Sequence, residues 1–189
     1  MEKIVLVGYG GHARSVADVI EREGKYHIVG YTENTVKKSE YTYLGKDDIL
    51  QELFNKGVNK AAICLGYLGK NTVREDLYVK IKRIGYELPA IVDPSAIVSK
   101  SAIIQEGTFI GKNAVINAEA AIGKMCIINT GAVIEHECVI GDYVHVAVGA
   151  ILCGHVVVKE AAFIGANTVV IQNKIIESKK IIPAGVTIR

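Results

Sequence analysis

In the stretch Asn129-Thr-Gly-Ala-Val-Ile134-Glu-His136-Glu-Cys-Val-Ile140-Gly-Asp-Tyr-Val-His145-Val146-Ala-Val-Gly-Ala150, an aliphatic residue returns at every sixth place. Extended in both directions, the same step meets seventeen aliphatic residues in succession, from Val92 to Ile188, with no exception. If about 40% of such a region is Ile, Leu or Val, a chance run of that length arises on the order of once in ten million trials, so the period is structural. The residue two places earlier is small or aliphatic through most of the array, as at Ala114, Ala120, Cys126, Ala132 and Cys138. Two inward side chains flanking one outward side chain make a short strand. Glycine often follows, at Gly111, Gly123, Gly141 and Gly165, and that place reads as a corner where a bulky side chain would hinder the turn. Each hexad is then one strand and one turn, too small to bury its own face. Stacking neighbours solves that problem, so the array is a solenoid.

Before Pro89 the period is different. Ile4-Val-Leu-Val7, Ile28-Val-Gly-Tyr31 and Ala61-Ala-Ile-Cys-Leu65 read as buried strands. Between and after them, His12 to Glu23, Asp47 to Asn55 and Asn71 to Ile84 read as helices, with Asp47 as an N-cap and Gly57 just past the end of the second. Strand alternating with helix predicts a small parallel sheet covered by helices. The expected organisation is therefore an α/β domain over residues 1–88, half-Rossmann-like in size, followed by an all-β solenoid over 89–189.

Composition narrows the function classes. Half of the 189 residues are hydrophobic and 22% are charged, which suits a globular protein with a full core. Basic and acidic residues stand at 14 to 12 before Pro89 and 8 to 8 from there on, so nothing resembles a nucleic-acid footprint. No apolar run approaches membrane-spanning length, and Met1-Glu-Lys leads straight into a strand, so a cytoplasmic protein without a membrane partner is expected. Cys64, Cys126, Cys138 and Cys153 form no CxxC pair and no zinc-spaced cluster; they read as small buried thiols, and no metal site is expected.

Two motifs carry a resemblance that spans both halves of the chain: Gly8-Tyr-Gly-Gly-His-Ala13, and Asn129 through Asp142 with His145 after it. The sequence resembles the nucleotide-sugar acetyltransferases of the hexapeptide-repeat acyltransferase superfamily, including UDP-4-amino-sugar N-acetyltransferases and sialic acid O-acetyltransferases. That resemblance implies a left-handed parallel β-helix with three hexads to a coil of eighteen residues, and a homotrimer with active sites between subunits. It also implies acetyl-CoA and a nucleotide-linked sugar as substrates, and a place in surface glycan biosynthesis. Family members usually continue with a glycine-rich closing segment, whereas the sequence stops at Arg189, so a thinly capped last coil is expected and the completeness of the coenzyme site is left open.

With a coil of eighteen, position 136 stacks between Ala118 and Gly154, whose small side chains leave an imidazole room at an outward corner. Acetyl transfer needs a base for the proton that the nucleophile sheds, and histidine suits neutral pH. The resemblance assigns His136 that role and gives Glu137 the task of orienting it; from the sequence alone, Glu135 stands as an alternative to Glu137. Taken by itself, His136 would read as one more polar corner residue, and the motif around it reverses that reading. His145 is placed by the resemblance among the acetyl-CoA contacts, against the alternative of an exposed outward histidine, and Gly154, Ala166 and Ala184 join it as backbone contacts. No role is assigned to His155.

The amino-terminal glycines offer backbone N–H groups and a helix start to a phosphate. The resemblance assigns Gly10, Gly11 and His12 to the phosphates and sugar of the nucleotide, Glu33 and Asn34 to its base or ribose, and Gly66 to a further contact, where a plain tight turn is the alternative. Asn34 stands where an Asp is usual, which leaves the base open, since Asn donates where Asp only accepts. The expected activity is N-acetylation of a nucleotide-linked amino sugar. Sugar O-acetylation, as of a sialic acid, and a non-catalytic nucleotide-sensing scaffold are the rivals. An NAD-dependent oxidoreductase rests on the glycine motif alone and explains nothing after Pro89.

Overall fold

The computed structural model describes residues 1–67 and 72–189. They form two compact units: residues 1–66 with 72–89, and Tyr67 with residues 90–189.

In the first unit, β1 (Glu2–Val7), β2 (Tyr26–Thr32), β3 (Tyr43–Gly45) and β4 (Lys60–Ile63) make a parallel sheet in the order β3-β2-β1-β4. Ile4 to Val7 are fully buried, because β1 is a central strand with apolar neighbours on both faces. Helix α1 (Gly11–Glu23) buries Ala13, Val16, Ala17, Val19 and Ile20 on one stripe and stops where Gly24, at φ 68°, returns its N–H to the Ile20 carbonyl. Helices α2 (Leu50–Asn55) and α3 (Val73–Ile84) complete the unit; Asn71, the expected start of α3, lies outside the described residues. Two expectations need correction. Helix α2 begins at Leu50, and Asp47 does not cap it, because its carboxylate instead accepts the Thr32 hydroxyl at 2.6 Å. Edge strand β3 was not expected, since three residues are too few for a periodic signal.

The second unit is a parallel β-solenoid of seventeen two-residue strands, from β5 (Ile91–Val92) to β21 (Thr187–Ile188), arranged as three parallel sheets. The second residue of every strand is the hexad aliphatic, and strands pair with those one coil away, as Val133 with Ile151 and Ile134 with Leu152. The hexad residues and the small residues two places before them form one continuous core. It is fully buried in the middle and partly exposed at the ends, with Ile134 fully buried but Val92, Val98 and Ile188 only partly so.

The glycine after each hexad position has a different reason from the one expected. The left-handed corner comes two residues later, at every sixth residue from Gly107 to Gly185, and most of its occupants are not glycine. At Gly141 and Gly165 the backbone of the next coil passes so close that a Cβ would lie 2.7 Å from the Glu160 nitrogen or 2.4 Å from that of Ala184. Those glycines permit coil-on-coil approach rather than chain reversal.

Among the described residues, no helix is long and apolar enough to cross a membrane. All four cysteines are free; Cys64, Cys126 and Cys138 are buried and Cys153 is partly exposed. Burial pushes the Cys64 thiol up to about 12 and raises that of Cys138. Ellman's reagent at neutral pH is therefore expected to label Cys153 promptly in the native protein, and the other three only after unfolding. Rapid labelling of a second thiol would contradict this packing.

Candidate active site

Ile134 ends β12 (Val133–Ile134) with its side chain in the core, and the chain then leaves the prism for a corner. Glu137 sits there at φ 58°, and one coil further on His155 occupies the equivalent corner at φ 59°. The Glu137 N–H donates to the Ala118 carbonyl and the His155 N–H to the His136 carbonyl, so three successive coils fix these backbones. The outward side chains converge. Glu137 Oε2 lies 3.1 Å from His136 Nδ1 and 3.2 Å from His155 Nε2, and the two imidazoles stand perpendicular at 5.2 Å.

The choice between the two flanking carboxylates follows from these distances. Glu137 takes the His136 ring, whereas Glu135 turns to the Asn117 amide at 3.0 Å and to the His136 backbone N–H at 3.3 Å. A carboxylate acceptor at Nδ1 makes that nitrogen the donor and leaves the Nε2 lone pair free, which is the tautomer a general base needs. Room for the ring comes from Gly154, where a Cβ would lie 2.5 Å from His136 Cε1 and Nε2.

His145, expected either as a coenzyme contact or as an exposed outward histidine, is not exposed. It is 7% accessible, its Nδ1 lies 2.5 Å from the Tyr67 carbonyl oxygen, and its ring meets Phe163 edge-on. The Tyr67 hydroxyl in turn donates to the Ala161 carbonyl. Ala166 and Ala184 stack one coil apart, with the Gly185 N–H donating to the Ala166 carbonyl, at the corner that follows the His145 sheet rather than the one holding His136. Within this chain His136, Glu137 and Gly154 are brought together, while His145, Ala166 and Ala184 belong to another side of the prism.

In the first unit the predicted nucleotide residues converge at the carboxyl ends of β1, β2 and β4. Gly10 precedes α1 in extended conformation with no side-chain cap, and space is open where Gly10 and Gly11 lack side chains. Gly66 lies beside His12, so that a Cβ there would be 3.9 Å from the His12 Cβ. The loop after β1 stands where strand order reverses, with β2 on one side of β1 and β4 on the other. Glu33 braces this loop from below, accepting the Tyr9 N–H at 3.1 Å and the Asn34 N–H at 2.8 Å. Partial burial pushes its pKa up, but these two backbone donors, with the charge of Lys37, outweigh it and the carboxyl titrates below its ordinary range. The brace is thus complete at neutral pH and is lost only as pH falls through that depressed value. Tyr9 is fixed further by stacking on Tyr31 at 4.3 Å.

Residues 3–81 match the PglD N-terminal domain family. A solved structure of the acetyltransferase domain of PglB from Neisseria gonorrhoeae, in complex with acetyl coenzyme A, superposes with a TM-score of 0.82 at 27% identity, covering 98% of this chain and 87% of that one. Over nearly its whole length the chain is similar to an acetyltransferase. A second solved structure, a mutant of GDP-perosamine N-acetyl transferase from Caulobacter crescentus in complex with CoA and GDP-perosamine, gives a TM-score of 0.68 at 27% identity over 99% of this chain and 93% of that one. A curated relative, the UDP-N-acetylbacillosamine N-acetyltransferase of Bacillus subtilis, is 36% identical over 110 residues, 57% of this chain. The match spans half of that relative's length.

Sequence reasoning passed over His155. The signal was present, because 155 is 137 plus one coil of eighteen, and any polar residue there must stand directly over Glu137.

Proposed function

We propose that this chain transfers an acetyl group from acetyl-CoA to the amino group of a nucleotide-linked sugar of the UDP-4-amino-sugar type. The observation that carries the reading is the His136 imidazole held by Glu137 through Nδ1, with Nε2 turned free at an outward corner that Gly154 keeps open. The amine attacks the thioester carbonyl carbon and the C–N bond forms. His136 Nε2 takes the N–H proton, the C–S bond breaks as the carbonyl re-forms, and the departing thiolate receives that proton. Glu137 accepts from Nδ1–H throughout and favours the imidazolium that develops.

The amino-terminal unit is assigned the nucleotide, with phosphates at Gly10, Gly11 and His12 on the open start of α1, and Glu33, Asn34 and Gly66 around them. Coenzyme is assigned to Gly154, Ala166 and Ala184, where backbone atoms alone serve, with His145 held on the adjoining face by Tyr67. Two sheets of the solenoid carry outward aliphatics, with Ile97 67%, Ile103 60% and Ile175 59% accessible, and these faces support a homotrimer that pairs corners of neighbouring copies.

The test is incubation with acetyl-CoA and a panel of UDP-, GDP- and CMP-linked sugars, following free thiol and acetylated product. Turnover with a UDP-linked amino sugar, and none with the matching hydroxyl sugar, is expected. Acetylation confined to hydroxyls, or no transfer with any member of the panel, would overturn the reading.

A further inference from the structure

Three nitrogen and oxygen donors meet at the His136 corner, and acid–base chemistry uses only two of them. His136, Glu137 and His155 each present a ligand atom, all within 4.8 Å of one another. The side chains are 51%, 45% and 50% accessible, so an ion could reach all three without opening the fold. A tetrahedral ion with bonds of about 2.0–2.2 Å holds neighbouring donors roughly 3.3 Å apart. The two measured edges from Glu137 Oε2 are 3.1 and 3.2 Å. Both left-handed corners are pinned by backbone bonds to adjacent coils, so the donor backbones need not move to close around an ion.

We propose that His136, Glu137 and His155 form a binding site for a divalent transition metal of the zinc class, and that filling it removes His136 from service as a base. Two imidazoles and a carboxylate are a donor set suited to such an ion, with the fourth position left to water. In the ion-free corner Nδ1 of His136 carries the hydrogen and Nε2 the lone pair. Coordination through Nδ1 uses the lone pair there and moves the ring hydrogen to Nε2, so the atom that would accept the substrate proton already holds one. Glu137 is diverted to the ion in the same step. The site rests on geometry alone, and the loss of activity rests on the base reading above.

Chelator-stripped protein is titrated with Co²⁺, followed by visible absorption, and with Zn²⁺ by calorimetry. The comparison is with His155→Asn, which keeps a residue tolerant of the left-handed corner and removes a ligand. One ion per chain with a tetrahedral cobalt spectrum is expected, and binding weaker by at least about tenfold in His155→Asn. Zn²⁺ should slow acetyl transfer in the unmodified protein at concentrations that leave His155→Asn at its own zinc-free rate. Absence of binding, equal affinity in the variant, or undiminished transfer with the site filled would each overturn the proposal. If His136→Ala kept full turnover, the base reading would fail, yet the cobalt titration would still report on the site.

Discussion

Replacing His136 with alanine is expected to lower kcat/KM for acetyl transfer by about two to four orders of magnitude, the usual worth of a positioned general base. Folding should be unaffected. The side chain is half exposed and outside the core cluster, and its backbone carbonyl, which accepts from the His155 N–H, remains in place. Melting temperature and far-ultraviolet circular dichroism therefore serve as controls. Exogenous imidazole, diffusing into the vacated corner beside Glu137, should restore part of the lost rate, which a merely structural role for His136 would not allow. Turnover that survives the substitution undiminished would remove His136 from the mechanism.

Gly154→Ala is expected to cost roughly a hundredfold in kcat, the order of loss that a misplacement of about 1 Å produces, while leaving stability nearly unchanged. The added Cβ would stand 2.5 Å from two atoms of the His136 ring. The ring is the end of an exposed side chain and can swing away, so the strain relaxes without disturbing the coil, but Nδ1 then leaves Glu137 and Nε2 leaves its aim. Gly154 lies outside the positive-φ region, so alanine fits the backbone, and the variant separates ring position from chain conformation. A variant with a lowered melting temperature and full activity per folded molecule would contradict this account.

The period of six was legible because a solenoid repeats its burial pattern along the chain, and each strand ends on the aliphatic that the period marks. The eighteen-residue ruler also placed Gly154 over His136, and β1, β2, β4 and α1 lay close to where their apolar patterns put them. What the ruler missed was local. Strand β3 is too short to have a period, and Asp47 found a partner in Thr32 that is distant in sequence.

Hydrophobic spacing by itself determined the hexad strands, their stacking into a solenoid and the outward corner on which His136 stands, because burial is a one-dimensional property in a repeat whose every unit has the same surroundings; the coil of eighteen that sets Gly154 above that corner came from the family resemblance. Only the tertiary structure decided which carboxylate the imidazole takes, that His155 shares it, and that Tyr67 closes over His145. Those outcomes depend on the direction in which a left-handed residue such as Glu137 throws its side chain and on which side chains of its own and the next coil it then meets. Direction and distance across coils have no counterpart in residue spacing.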